Sequence, residues 1–218
     1  MIQVKTFYFN ELRECTYVLW NETNACVVVD PGAESEGERN RLQQFIDGHA
    51  LKPAAILNTH GHFDHVMANA FLTRVYGIKT YIHAGDRVLL DKTSEYGNMF
   101  GYRIEQPPAA AGFLTEDLPF CFGCSQLQVL HTPGHTKGGV CFYSPADKFV
   151  LTGDTLFQGN IGRVDLPGGN YDEIMESLSK KLMLLPDDTV VYPGHGLPST
   201  IGEERRNNPY VENGQITI

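Results

Sequence analysis

The chain has 218 residues, of which 42% are hydrophobic and 20% charged, and its formal net charge is −9. That length buries enough surface to fold without covalent staples, and the composition is that of a globular protein rather than a disordered or membrane chain. The acidic balance excludes a nucleic-acid partner, because phosphate backbones are gripped by concentrated Lys and Arg. No stretch approaches the roughly 20 apolar residues of a membrane span. The amino-terminal MIQVKTFYFN lacks the charged run and apolar core of an export signal, so a cytoplasmic chain without membrane contact is expected. The five cysteines are irregularly spaced, which fits reduced thiols better than a disulfide framework. Cys121 and Cys124 form a C-x-x-C, with no second pair to complete a zinc site. With no repeat, low-complexity tract or linker, residues 1–218 are read as a single domain.

In chain order, IQVKTFYF and CTYVLW carry the β-branched and aromatic residues of strands, and ACVVVD is a short apolar strand stopped by Pro31 and Gly32. From Glu34 to about His49, Leu42, Phe45 and Ile46 recur at helical spacing. AAILN reads as a buried strand, VMANAFLTRVYG as a helix closed by Gly77, and KTYIH as a strand. Residues 91–117, punctuated by Gly97, Gly101, Pro107 and Pro108, read as irregular. Strands resume at LQVLH, GVCFYS and KFVLTGD. After a Gly-rich loop, Asn170 caps a helix that carries Ile174, Leu178 and Leu182 on one face. TVVYPGHG closes the series as a strand and turn. Strands alternating with helices predict helices packed outside sheets, an α/β layered arrangement.

The segment NTHGHFDHVMANA places His60, His62, Asp64 and His65 at one corner between a strand and a helix. Residues two apart in an extended segment share a side. His60 and His62 can therefore face one ion, while Asp64 and His65 diverge toward a second. Solvated histidines with a capping aspartate are the bland alternative. Three further corners weigh against it: His135 in HTPGHTKGG, Asp154 in LTGDT and His195 in YPGHG each follow an apolar strand. Strand-to-loop corners are where a rigid scaffold holds functional side chains. All seven donors are nitrogen or oxygen, suited to zinc, iron or manganese, and none is a thiolate that would close a structural shell.

T-H-x-H-x-D-H, with the later His, Asp and His in these settings, resembles the metallo-β-lactamase superfamily. GDTLFQGNIGRVDLPGG and YPGHGLPSTIGEERRNNPY narrow the likeness to glyoxalase II-like (hydroxyacylglutathione hydrolase-like) hydrolases of a short bacterial type. The resemblance runs over nearly the whole chain. It implies a four-layer αβ/βα metallo-β-lactamase sandwich, two mixed β-sheets flanked by helices, with metal at one edge. It also implies two divalent ions, zinc first, with iron or manganese as alternatives. His60, His62 and His135 would hold one ion and Asp64, His65 and His195 the other, with Asp154 bridging. Paired ions about 3.5–4 Å apart lower the pKa of a held water from ~15.7 toward ~7, so hydroxide could attack an acyl carbonyl at neutral pH. Asp64 and Asp154 are thus the catalytic carboxylates, and a small-molecule thioester is the expected substrate, since a thiolate departs without a strong acid.

Some features depart from the pattern. The chain beyond His195 is too short for the helical domain with which glyoxalase II proper helps grip glutathione, so the resemblance implies the reaction more than the substrate. Cys15 stands where family members carry an asparagine, two places before Tyr17. Arg163 is a candidate for gripping a substrate carboxylate through its bidentate fork, against a structural pair with Asp165. Residues 96–103, YGNMFGYR, are a candidate lid. His83 and His131 read as packing residues and His49 as a surface histidine. Alternatives in the same fold are a mononuclear iron persulfide dioxygenase and a lactonase. A non-catalytic metal-binding module stands outside them.

Overall fold

A computed structural model describes residues 1–211. Strands β1 (Gln3–Phe9), β2 (Glu14–Trp20) and β3 (Ala25–Val29) form an antiparallel meander. Helix α1 (Glu36–Gly48) follows, opened by a capping box in which Ser35 accepts from the Glu38 amide and Glu38 reaches back to the cap backbone. Strand β4 (Lys52–Leu57) pairs parallel to β3 and delivers the chain to the histidine cluster, where Phe63–His65 make one 3₁₀ turn. Helix α2 (Asn69–Tyr76) ends on Gly77 in the left-handed region, and β5 (Lys79–His83) adds parallel to β4.

Residues 91–117 are more ordered than the sequence suggested. Short helices α3 (Arg87–Asp91) and α4 (Thr93–Met99) precede β6 (Gly112–Leu114), which completes a six-stranded sheet in the order β1-β2-β3-β4-β5-β6. The glycines mislead here because they serve packing and termination. Gly97 lies against Ile104, and Gly101, at φ +87°, ends α4. There the Tyr102 amide donates to the Gly97 carbonyl and the Gly101 amide to that of Asn98, the paired bonds of a Schellman motif.

The second sheet is built from β7 (Phe120–Phe122), β8 (Ser125–His131), β9 (Val140–Ser144) and β10 (Phe149–Gly153). A small ribbon of β11 (Leu156–Phe157) and β12 (Asn160–Ile161) follows. Helix α5 (Tyr171–Lys180) is capped by Asn170, whose side chain accepts from the Glu173 amide, as expected. The expected helix stops at Lys180, and Leu182–Leu184 form a separate 3₁₀ turn. Strand β13 (Val190–Pro193) runs parallel to β10, and β14 (Ser199–Thr200) leads into α6 (Ile201–Asn207). The order is β14-β13-β10-β9-β8-β7.

The two sheets face each other across one apolar layer. Tyr17, Leu19, Val27 and Leu57 of the first meet Leu127, Val129, Phe142 and Leu151 of the second. Helices α1 and α2 cover the outer face of the first sheet through Leu42, Ile46 and Leu72, and α5 covers the second through Ile174 and Leu178. This is the αβ/βα sandwich of two mixed sheets. Buried on both faces, β2, β3, β9 and β10 read as unbroken apolar runs, because alternation is lost where no face meets water. Among the described residues no helix is long and apolar enough to cross a membrane.

Candidate metal centre

The ends of β4, β8, β10 and β13 meet at one edge, and the four corners singled out in the sequence meet with them. A hydrogen bond from the Val140 amide to the Thr59 carbonyl ties the first sheet to the second at this edge, and the Gly194 amide donates to the Gly153 carbonyl beside it. Gly194 permits a close approach: a Cβ there would overlap Asp154 Oδ1 and crowd His65 Cε1.

Two groups of donors result. In the first, the ring nitrogens of His60, His62 and His135 lie within 4.8 Å of one another, and His62 Nδ1 is 2.9 Å from His135 Nε2. In the second, Asp64, His65 and His195 converge. His65 Nε2 is 3.2 Å from His195 Nε2, and Asp64 Oδ2 is 3.3 Å from His195 Nε2. Asp154 stands between them, with Oδ2 at 3.5 Å from His135 Nε2 and Oδ1 at 3.5 Å from His65 Nε2. Every metal-ligand candidate from the sequence is therefore gathered in one place.

The hydrogen bonds behind these rings fix which nitrogen faces inward. His135 Nδ1 donates to the Arg163 carbonyl at 2.7 Å, and His195 Nδ1 to the Leu12 carbonyl at 3.0 Å. His65 Nδ1 donates to Asp30 Oδ2 at 3.2 Å, and His60 Nδ1 to Thr59 Oγ1 at 3.1 Å. A neutral imidazole that donates through Nδ1 presents a lone pair at Nε2. Burial opposes charge on His65, but Asp64, Asp154 and Asp30 outweigh it and raise its pKa, so the facing Nε2 atoms of His65 and His195 draw positive charge, which a metal ion would supply in place of a proton. Among the described residues His60 Nε2 and Asp154 Oδ1 are buried without a hydrogen-bond partner, and buried polar atoms are otherwise almost always satisfied. The donor set fits divalent metal in both groups.

Electrostatics agree. Burial disfavours the His60 imidazolium, and the nearby His65, His62 and His135 rings push its pKa further down. Burial and His135 lower His62 to about 4. Burial also opposes charge on Asp64, but His65 and His195 outweigh it and hold the carboxyl well below its usual range. Near neutral pH His60 and His62 are therefore neutral and Asp64 is ionised, the states in which these side chains ligate.

Sequence reasoning missed the residues that hold the ligands. Asp30, at the end of β3, accepts from the Thr59 amide at 2.7 Å and the Thr59 hydroxyl at 2.5 Å as well as from His65. It also lies close enough to His60 and His65 to form a third metal-competent trio. Its oxygens are already occupied by donors, so it orients ligands rather than competing for metal. Asp86, fully buried, accepts from the Gly61 amide, the Thr136 hydroxyl and the Gly138 amide, so one carboxylate ties the His60–His62 corner to the His135 corner. Burial raises its pKa against those three bonds. Glu14, wholly buried, lies 3.9 Å from His65 Nδ1. A findable signal existed for Asp30 alone: an acid ending an apolar strand whose partner strand runs into the histidines.

The other candidates fall outside the cluster. The Arg163 guanidinium makes two 2.7 Å hydrogen bonds to Asp165, both residues being exposed, so the structural pair is the arrangement present. Its backbone, through His135, is what serves the site. Cys15 is buried, its thiol pushed up to about 12 by burial. His83 and His131 stack on each other with ring centroids 4.0 Å apart, and His49 caps α1 at the surface. Cys121 and Cys124 are exposed free thiols. Phe63 stacks on Phe100 from the segment expected to form a lid.

Comparison with known proteins gives a consistent family. Residues 13–195 match the description "Metallo-beta-lactamase superfamily". A relative from Bacillus subtilis, named probable metallo-hydrolase YqgX, is 37% identical over 85% of this chain and 87% of its own length. One from Haemophilus influenzae, named hydroxyacylglutathione hydrolase GloC, is 35% identical over 89% of this chain and 91% of its own. Among solved structures, BLEG-1 B3 metallo-beta-lactamase superposes with TM-score 0.89 at 33% identity, covering 96% of this chain and 99% of that one. TTHA1623, solved in a di-iron-bound form, gives TM-score 0.86 at 39% identity, covering 95% and 100%. ETHE1 from Myxococcus xanthus gives 0.81 at 26% identity, covering 97% and 85%. The fold, the ligand-bearing edge and these relatives lead to one assignment: the chain belongs to the metallo-β-lactamase superfamily, as a metal-dependent hydrolase with glyoxalase II-like relatives.

Proposed function

We propose that the chain hydrolyses small thioesters at a dinuclear centre, with zinc as the first candidate metal. His60, His62 and His135 would hold one ion and Asp64, His65 and His195 the other, with Asp154 placed to serve both. The observation that carries this reading is the position of Asp154, whose two oxygens face one histidine of each group at equal distance. The name of the Haemophilus influenzae relative and the di-iron form of TTHA1623 support it.

When bound, the ions supply Lewis-acid polarisation of the acyl carbonyl and an acidified water. The chain's own residues do the rest. Asp64 orients the attacking water by accepting one of its hydrogen bonds, while the Nδ1 bonds of His135 and His195 keep both rings from swinging out of register. Overall, a C–O bond forms to the water oxygen and the C–S bond breaks. The thiolate leaves and takes up a proton. No acid need be placed beside the leaving group, and none of the seven is spare for that duty.

The test is hydrolysis of S-D-lactoylglutathione by protein of known metal content. Turnover that requires two ions per chain, and that Asp154→Ala abolishes together with metal content, is the expected result. Unchanged turnover in Asp154→Ala would end the dinuclear reading. A second reading, within the fold shared with ETHE1, is oxygenation of a persulfide at one iron. One iron per chain, with oxygen consumed and no thioester cleaved, would favour it.

A further inference from the structure

A cluster of aromatic rings is built on the corner that carries the ligands. Phe63, whose chain neighbours His62 and Asp64 are both ligand candidates, is half-buried. Its ring lies 5.2 Å from that of Phe100 at an interplanar angle of 24°, and 5.2 Å from that of Tyr102 at 36°. Phe100 is 59% exposed and its neighbour Met99 73%. The rings are nevertheless held in place, since Phe100 and Tyr102 flank the left-handed Gly101 of the Schellman turn. The Phe157 ring lies 6.3 Å from that of His195.

The charged groups beside the site complement this. Lys137, on the His135 loop, is 3.2 Å from Glu173, and Arg163, on the loop bonded to His135, is clamped by Asp165. The surroundings thus offer flat apolar surface, while two adjoining cations are already paired.

We propose that Phe63, Phe100 and Tyr102 form a specificity wall for an uncharged, apolar group next to the scissile bond, so that the favoured substrate is an alkyl or aryl-alkyl thioester rather than one of a charged, carboxylate-bearing peptide thiol. This rests on the thioester reading above. The wall positions the substrate by stacking and desolvation, and Phe100 contributes on the order of tenfold in specificity, the upper end of one aromatic contact.

The test compares kcat/KM for S-(2-phenylethyl) thioacetate and S-acetylglutathione, which share an acyl group, on metal-loaded protein. In parallel, NMR titration measures binding of 5-phenylpentan-2-one, in which methylene replaces sulfur. The phenylethyl ester is expected to be preferred. In Phe100→Ala that preference falls about tenfold and ketone binding weakens in step. Leu118→Ala, a change at a 72% exposed side chain outside the wall, leaves the preference as it was. A preference for S-acetylglutathione, or one indifferent to Phe100→Ala, overturns the wall and leaves thioester hydrolysis standing. If neither ester turns over but the ketone binds in a Phe100-dependent way, the thioester reading fails and the apolar wall is upheld. Absence of both turnover and Phe100-dependent binding overturns the wall as well.

Discussion

Replacing Asp30 with Asn changes almost no volume, yet it should disable a ligand it never shares with the metal. Asp30 Oδ1 accepts from the Thr59 amide at 2.7 Å, so the amide oxygen of an asparagine must sit there. Its NH2 then takes the place of Oδ2, which now accepts from the Thr59 hydroxyl and from His65 Nδ1. An NH2 can only donate, so His65 must accept at Nδ1 and carry its proton on Nε2, the atom that faces His195 and Asp154. The Thr59 hydroxyl must likewise turn, which disturbs its bond to His60. Loss of such an orienting partner typically weakens metal affinity roughly 10–100-fold, or about 1.4–2.7 kcal/mol. Folding should suffer less, because removing a buried carboxylate charge offsets part of the lost bonding. Competition titration with a zinc chelator gives the affinity, and 15N chemical shifts of His65 give the tautomer. Wild-type affinity in Asp30→Asn, with His65 still protonated on Nδ1, would show that Asp30 does not set the His65 tautomer.

Three further outcomes are expected. His62, lowered to about 4 by burial and by His135, stabilises the metal-free fold above its unfolded pKa of ~6.5, and that contribution is lost as pH falls toward 4. The loss is roughly 3 kcal/mol, so thermal unfolding of metal-free protein should shift less over this range in His62→Gln; an equal shift in both would contradict it. Gly194→Ala should displace Asp154 and His65, lowering metal content while secondary structure measured by circular dichroism persists. Wild-type metal content in that variant would show that the close approach is slack. Asp86→Ala strands the Gly61 and Gly138 amides and the Thr136 hydroxyl, and should cost about 3 kcal/mol or more in urea unfolding; a change below 1 kcal/mol would mean that water replaces the carboxylate.

The legible parts of this molecule were those with local chemistry. Strands β1 to β3 and the cap of α5 follow from side chains within a few residues of each other. The seven ligand candidates were legible because each lies in the turn or loop that follows a strand, and such corners collect at one edge of this architecture. The orienting residues were not, because their partners are distant: Asp30 meets His65 35 positions away, and Asp86 meets Gly138 52 positions away. Helix α4 was hidden by its glycines, one needed for contact with Ile104 and the other for a turn at positive φ. Arg163 shows the opposite failure. A side chain suited to binding carboxylate does bind one, but it belongs to Asp165.

The central claim is that seven side chains hold two ions with Asp154 between them. Anomalous diffraction at the zinc edge, from crystals grown with excess zinc, tests it most directly. The account predicts two peaks per chain, one against His60, His62 and His135 and one against Asp64, His65 and His195, each with an Asp154 oxygen as ligand. A single peak, or two peaks with Asp154 coordinating neither, would contradict it.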